Sequence, residues 1–196
     1  PQYWASRKMA PSSLLYYLGV NKPLPNLLHH NLFFDTDFGK HAFEIYDKPQ
    51  WPSKPLFYVS VPSKTDPTIA PLGQENVFIL IPTAPGLIDT GDVQEKYFNI
   101  VLERLEQVAG VSFRENIVYR RDYAARNFIA DYHAHKGNAY GLANTLLQTG
   151  PLKPAMHHRQ VKNLLFTGQL TVPGPGVPPS IISGEVVAKE LMKLIG

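Results

Sequence analysis

The sequence predicts a mixed α/β protein in which short strands of one sheet alternate with a few helices. Three observations carry that prediction. Brief apolar runs rich in β-branched and aromatic residues recur between proline and glycine turns. Residues 92–108 repeat their apolar positions at helical spacing. The last third runs from an apolar segment through a turn dense in Gly and Pro into a second helical pattern that ends at Gly196.

Taken in order, Leu14-Leu-Tyr-Tyr-Leu18, Asn31-Leu-Phe-Phe34, Leu56-Phe-Tyr-Val-Ser-Val61 and Val77-Phe-Ile-Leu-Ile81 read as strands. Most are apolar on both faces, which predicts a sheet covered on both sides. Asn21-Lys-Pro-Leu-Pro25, Pro62-Ser-Lys-Thr-Asp-Pro67 and Pro71-Leu-Gly73 are loops. Residues 37–46 form a short helix with Phe38, Ala42 and Ile45 on one side. In residues 92–108, Asp92 followed by Glu95 resembles a capping box. Phe98, Val101, Leu102, Leu105 and Val108 make the apolar stripe, and Gly110 ends the helix. Ile117-Val-Tyr119 is a strand, residues 122–133 a short helix, and His135-Lys-Gly-Asn-Ala-Tyr-Gly-Leu142 too glycine-rich for either form. Residues 164–166 are expected as the final strand. In the last helix Ser180, Gly184 and Ala188 share a face whose small side chains let a neighbour approach closely.

The 196 residues contain 18 prolines, no cysteine, and a formal net charge of +3. Without cysteine there are no disulfides or thiolate metal sites, a composition that suits a reducing interior. The small positive excess forms no Lys/Arg stripe, so nucleic acid is not expected as a partner. No apolar run approaches the roughly 20 residues that span a bilayer. The chain opens on Pro1 without a Met, which suggests that it begins inside a longer protein.

The strongest candidate site is Asn163-Leu-Leu-Phe-Thr-Gly168-Gln-Leu-Thr-Val-Pro173-Gly174-Pro-Gly176-Val-Pro178-Pro-Ser180. Gly174 and Gly176 allow positive φ and close ligand approach, and Pro178 suits a first helical turn. A helix N-terminus adds partial positive charge for an anion. An ordinary strand–loop–helix connection satisfies the same pattern, and no Gly-x-Gly-x-x-Gly stands anywhere in the chain. The adjacent pairs His29-His30 and His157-His158 would point apart in a strand, and His133 with His135 has no third ligand at metal spacing, so no metal site is expected. No Gly-x-Ser-x-Gly elbow exists. Phe33, Phe34, Phe57, Tyr58 and Phe78 fit either a core or the wall of a long apolar pocket.

In combination, residues 163–168 with Thr171, Pro173-Gly174, Gly176-Val177 and Ser183 resemble the C-terminal signature of the bacterial-type phytoene desaturase family, FAD-dependent carotenoid desaturases and isomerases. Lys136-Gly-Asn-Ala-Tyr140-Gly-Leu142 is similar to that family's Gly-x-Ala-Phe-Gly-Leu segment. Pro11-Ser-Ser-Leu-Leu15, Leu18-Gly19, His29-His30, Thr65-Asp-Pro67 and Ala70-Pro71-Leu-Gly73 match further landmarks in the same order. The chain departs from the signature at Gln169, Leu170, Val172 and Pro175.

The resemblance implies a substrate domain on a mixed β-sheet with helices, residues 1–134, and a segment 135–196 that supplies the C-terminal strand–turn–helix of a Rossmann-like FAD domain. The family's own Gly-x-Gly-x-x-Gly would then lie upstream, in a missing N-terminal half. It further implies FAD as cofactor, a carotenoid or other long apolar substrate, and a cytoplasmic protein peripherally associated with the membrane surface. The implied chemistry is removal of a hydride to the flavin and of a proton to a base or solvent. Gly168 and Gln169 fall near the ribityl or pyrophosphate portion. Backbone N–H groups around Gly176, Val177 and the helix start face the flavin pyrimidine edge, Gly174 and Pro178 are further cofactor-binding residues, and Tyr140-Gly141-Leu142 form a wall. No catalytic residue is singled out. A carotenoid isomerase, a desaturase of a hydroxylated carotenoid and a non-catalytic carotenoid-binding module remain alternatives.

Overall fold

A computed structural model describes residues 2–195. In chain order the helices and strands are α1 (Gln2–Ala5), β1 (Ser12–Val20), β2 (His30–Phe33), α2 (Phe38–Tyr46), β3 (Phe57–Ser60), β4 (Glu75–Thr83), α3 (Gly91–Ala109), β5 (Ile117–Tyr123), α4 (Ala125–Tyr132) and α5 (Val177–Ile195). The chain divides into two compact units, residues 11–138 and residues 1–10 with 139–196. All five strands lie in the first.

The sheet has the order β2-β3-β4-β1-β5 and every pairing in it is antiparallel. The two nine-residue strands, β1 and β4, form its centre, with Leu14 opposite Ile81 and Tyr16 opposite Ile79. Alternation puts Leu14, Tyr16, Leu18 and Val20 on one face with Val59, Val77, Ile79 and Ile81, all fully or almost fully buried. The expected stripe of α3 closes this face with Phe98, Val101, Leu102 and Leu105. Tyr16 donates from this core to Gln94 O at 2.7 Å. Arg120 stacks 3.7 Å above the Phe98 ring while pairing with Asp122 and Glu95.

The opposite face is covered only in part, contrary to the expectation of two covered sides: Tyr17, Leu32 and Tyr119 are 40%, 65% and 55% exposed. The apolar character of both faces reflects a second face that carries a cleft. At Gly19 a Cβ would come within 3.2 Å of Tyr119 Cβ, where the β1–β5 register shifts.

Several local expectations are corrected. Thr90 caps α3, accepting from Val93 N, while Glu95 is drawn away to Arg120, so Asp92 and Glu95 make no capping box. In α2, Asp37 caps the first turn, accepting from Gly39 N and Lys40 N, but the buried residues are His41, Glu44 and Ile45, and Phe38 is exposed. His41 and Glu44 are buried because partners await them. Leu56 N donates to His41 Nδ1, and Gln50 Nε2 and Ser53 N donate to Glu44. Strand β5 continues to Tyr123 and α4 starts only at Ala125.

In the second unit the expected strand at 164–166 is reduced to one isolated bridge between His157 and Leu165. Its backbone bonds are Phe166 N to Met156 O and His158 N to Leu164 O. A strand needs a ladder neighbour, and no longer partner for this one lies among the described residues. The small-residue face of α5 is also unfilled. A Cβ at Gly184 would meet nothing within 4 Å and Ala188 is exposed, whereas Ser183 of this helix is fully buried. The expected helix end at Gly196 lies outside the described residues. Of the aromatic set, Phe33 and Phe57 stack in the core at 4.2 Å, Phe34 is exposed, and Tyr58 and Phe78 are half-buried.

Candidate functional site

The Gly/Pro turn of the second unit is built on Ser183. Its Oγ accepts from Gly168 N at 3.0 Å and from Thr167 Oγ1 at 3.0 Å, and lies 2.8 Å from Thr171 Oγ1. Thr171 closes the loop by bonding Gly168 O through both its N–H and its hydroxyl. One helical serine therefore fixes both ends of the 168–171 turn to α5. This local knot is what the signature spacing of Thr171 and Ser183 encodes.

Beyond the knot the chain passes a cis Val172–Pro173 bond and reaches Gly174 and Gly176 at φ of 138° and 116°, conformations L side chains rarely adopt. Helix α5 then starts at Val177. Pro178 and Pro179 carry no N–H, so the donors at this end belong to Gly176, Val177 and Ser180, the last already bonded to Gly176 O.

Here the structure brings together residues that are far apart in the chain. Tyr140, Gln169, Gly176 and Val177 line one open groove of about 550 Å³ with Ala139, Ser180 and Ile181. Tyr140 and Val177 are 42% and 75% exposed, so the walls stand free for a ligand. Gly141, at φ 82°, is set behind Tyr140, where a Cβ would stand 2.8 Å from the Leu170 side chain. Gly168 serves the knot, Pro178 the first turn of α5, and Gly174 lies over Lys153.

Lys153 is the residue that sequence reasoning missed. It is only 7% exposed, and its Nζ is buried without a hydrogen-bond partner among the described residues. A Cβ on Gly174 would come within 3.3 Å of its Cε and 3.5 Å of its Nζ. Burial pushes its ammonium below the usual lysine range. The only sequence signal is a lone lysine between Pro151 and Pro154.

The first unit carries a separate cleft of about 590 Å³ against the open sheet face. Tyr17, Tyr119, Tyr123 and Tyr132 supply aromatic wall, with Ile69 and Pro71, and Arg121, Asp131 and Glu75 are its charged groups. Tyr123 donates to Asp131 Oδ2 at 2.8 Å; burial first, then that carboxylate, pushes its phenol up. None of the phenylalanines proposed as pocket wall lines it. The His29 and His30 rings stack at 4.1 Å and bond Thr65 and Tyr58. No group of three metal-ligating side chains exists among the described residues.

Comparison with known proteins shows what the chain is similar to. The chain is 43% identical over 191 residues to a carotenoid 3,4-desaturase of Haloarcula japonica, covering 97% of this chain and 39% of that protein. The proteins it is similar to include carotenoid desaturases and 4,4'-diaponeurosporene oxygenases of Staphylococcus. A zeta-carotene-forming phytoene desaturase of Myxococcus xanthus is 32% identical, covering 92% of this chain and 35% of its own length. A 4,4'-diapophytoene desaturase of Staphylococcus haemolyticus is 31% identical, with 93% and 38% covered. The chain thus spans somewhat over a third of the desaturases it matches. No family model matches. Among solved structures, an oxidoreductase from Methanosarcina mazei shares the fold at a TM-score of 0.52 and 12% identity, over 96% of this chain and 36% of that one.

Proposed function

We propose that this protein is an FAD-dependent oxidoreductase that desaturates a carotenoid such as phytoene. The observation that carries the reading is the groove at the start of α5, where Tyr140, Gln169, Gly176 and Val177 converge from segments that similarity to carotenoid desaturases spans from end to end. The residues suit a flavin. The groove has apolar walls, glycine backbone in its lining and N–H donors at a helix N-terminus, and the nearby turn residue Gly174 packs on a buried cation without a hydrogen-bond partner among the described residues.

FAD, when bound, supplies the hydride-accepting chemistry. The chain's own part is to hold and orient. Tyr140 and Val177 flank the groove, Gln169 offers an amide to a polar edge, and the Ser183 knot keeps Gly168 and Gly176 at a fixed separation from the helix. On this reading residues 139–196 belong to the cofactor region, and the cleft on the open sheet face of residues 11–138 receives part of the long apolar substrate. The amphipathic tyrosines there suit a chain that is apolar along its length. No helix among the described residues is long and apolar enough to cross a membrane. Substrate would be drawn from the surface of a membrane with which a cytoplasmic protein associates peripherally.

The test is product analysis in cells that make phytoene. Expression of the entire gene product yields carotenoids with additional conjugated double bonds. Products that differ from their precursor only in double-bond geometry would indicate isomerisation, and an unchanged carotenoid pool would contradict the reading.

A further inference from the structure

We infer that Lys153 is an anion-binding residue of the groove region, its ammonium held under Gly174 to pair with a negatively charged oxygen of the bound ligand. For a flavin nucleotide that oxygen belongs either to a phosphate or to the ring edge that gains charge on reduction. The identity of the ligand rests on the flavin reading above; the presence of an anion site does not.

Two features of the second unit come together along this turn, where Lys153 packs at Gly174, three residues before α5 begins at Val177. The first is the N-terminus of a 19-residue helix, preceded by glycines whose backbone leaves room for close approach. The second is the lysine itself, more than nine-tenths buried, whose Nζ has no hydrogen-bond partner among the described residues. Ammonium groups are almost never buried unpaired, because desolvation is costly and no attraction repays it. A lysine that merely filled space would extend its head to solvent. This one lies against the one glycine of the turn where a side chain would push it away. A negative partner from outside the chain accounts for both facts.

The reading predicts an unusual pair of effects for Lys153→Met, which keeps the length and removes the charge. The ligand-free protein should melt no lower than wild type, since an uncompensated charge is replaced by an apolar group. Anion affinity should nevertheless fall at least about tenfold, as loss of a charge-assisted contact requires. Lys153→Arg should restore most of it.

The experiment titrates the entire gene product, stripped of nucleotide, with inorganic pyrophosphate and with FAD by calorimetry, and measures the flavin midpoint potential. Weaker binding of both pyrophosphate and FAD by Lys153→Met, with an unchanged potential, assigns the partner as phosphate. Unchanged pyrophosphate affinity with a potential lowered by about 30 mV, a tenfold loss of reduced against oxidised flavin, assigns it to the ring edge. If wild type binds pyrophosphate through Lys153 but no flavin, the anion site stands and the flavin reading fails. If wild type binds flavin and Lys153→Met alters neither affinity nor potential, the inference about Lys153 is overturned while the flavin reading stands. Failure of wild type to bind either ligand overturns both.

Discussion

Thr171 Oγ1 and Ser183 Oγ lie 2.8 Å apart in the buried hinge between the Gly/Pro turn and α5, and each also reaches Gly168, through its carbonyl and its N–H respectively. Neither hydroxyl sees solvent, with 2% and 0% exposure. The two side chains do the work of a backbone ladder where the expected strand at 164–166 finds none.

Ser183→Ala should therefore loosen the turn. It strips Gly168 N and the Thr167 hydroxyl of their acceptor in a part-buried setting, at about 0.5–1.5 kcal/mol. Denaturant unfolding should report a lower midpoint. Amide exchange at Gly168 should rise by a larger factor than at the core strand β4. Equal protection of Gly168 in both proteins would show that the knot is not what holds it.

In the other unit, Glu75 reports on pH. Burial alone would raise its carboxyl, but bonds from Lys64, Ser63 Oγ and Leu24 N outweigh it and hold the group below the usual carboxylate range. A depressed folded value means that its contribution is fully present above the unfolded value, about 4.3, and is lost as pH falls through the lower folded one. Glu75→Gln should then flatten the acid limb of the stability–pH curve below pH about 4.3 and lower stability at neutral pH by about 1–3 kcal/mol. An acid limb of unchanged slope would contradict the assignment.

Leu102→Ala tests the core. Leu102 is fully buried between α3 and the sheet. Truncation should cost about 2–5 kcal/mol, depending on how far the site collapses. A loss below about 1 kcal/mol, read from the unfolding midpoint, would mean that α3 packs elsewhere.

Gly168→Ala and Gly174→Ala make an informative pair. Both positions have positive φ, so both substitutions introduce backbone strain of about 1–2 kcal/mol. At Gly168 the new methyl meets nothing within 4 Å, whereas at Gly174 it presses on Lys153. Both should lower the melting temperature, and Gly174→Ala alone should also weaken pyrophosphate binding. Two variants alike in pyrophosphate affinity, FAD affinity and flavin potential would argue against Lys153 as the anion's partner.

The first unit was legible where local pattern and tertiary packing agree. The stripe Phe98, Val101, Leu102, Leu105 and the apolar runs of β1 and β4 became the core because burial follows periodicity directly. What sequence alone missed depends on distant partners. Glu95 abandons a cap for Arg120, His41 and Glu44 are buried because Leu56 N, Gln50 and Ser53 meet them, and the strand at 164–166 lacks a ladder. The groove was legible through its glycines and Tyr140, whose order in the chain carries a family pattern. Lys153 was not, since nothing in Gly-Pro-Leu-Lys-Pro announces that the ammonium will be buried.

The central claim is that the groove formed by Tyr140, Gln169, Gly176 and Val177 holds FAD. The most direct measurement is flavin absorbance retained by the entire gene product after gel filtration, for wild type and for Gly176→Leu. The groove predicts a yellow wild-type protein and a colourless variant that still folds by circular dichroism, because a leucine at φ 116° would strain the backbone and press on Pro179 at a position that lines the groove. A wild-type protein without flavin, or a variant that retains it undiminished, would contradict the claim.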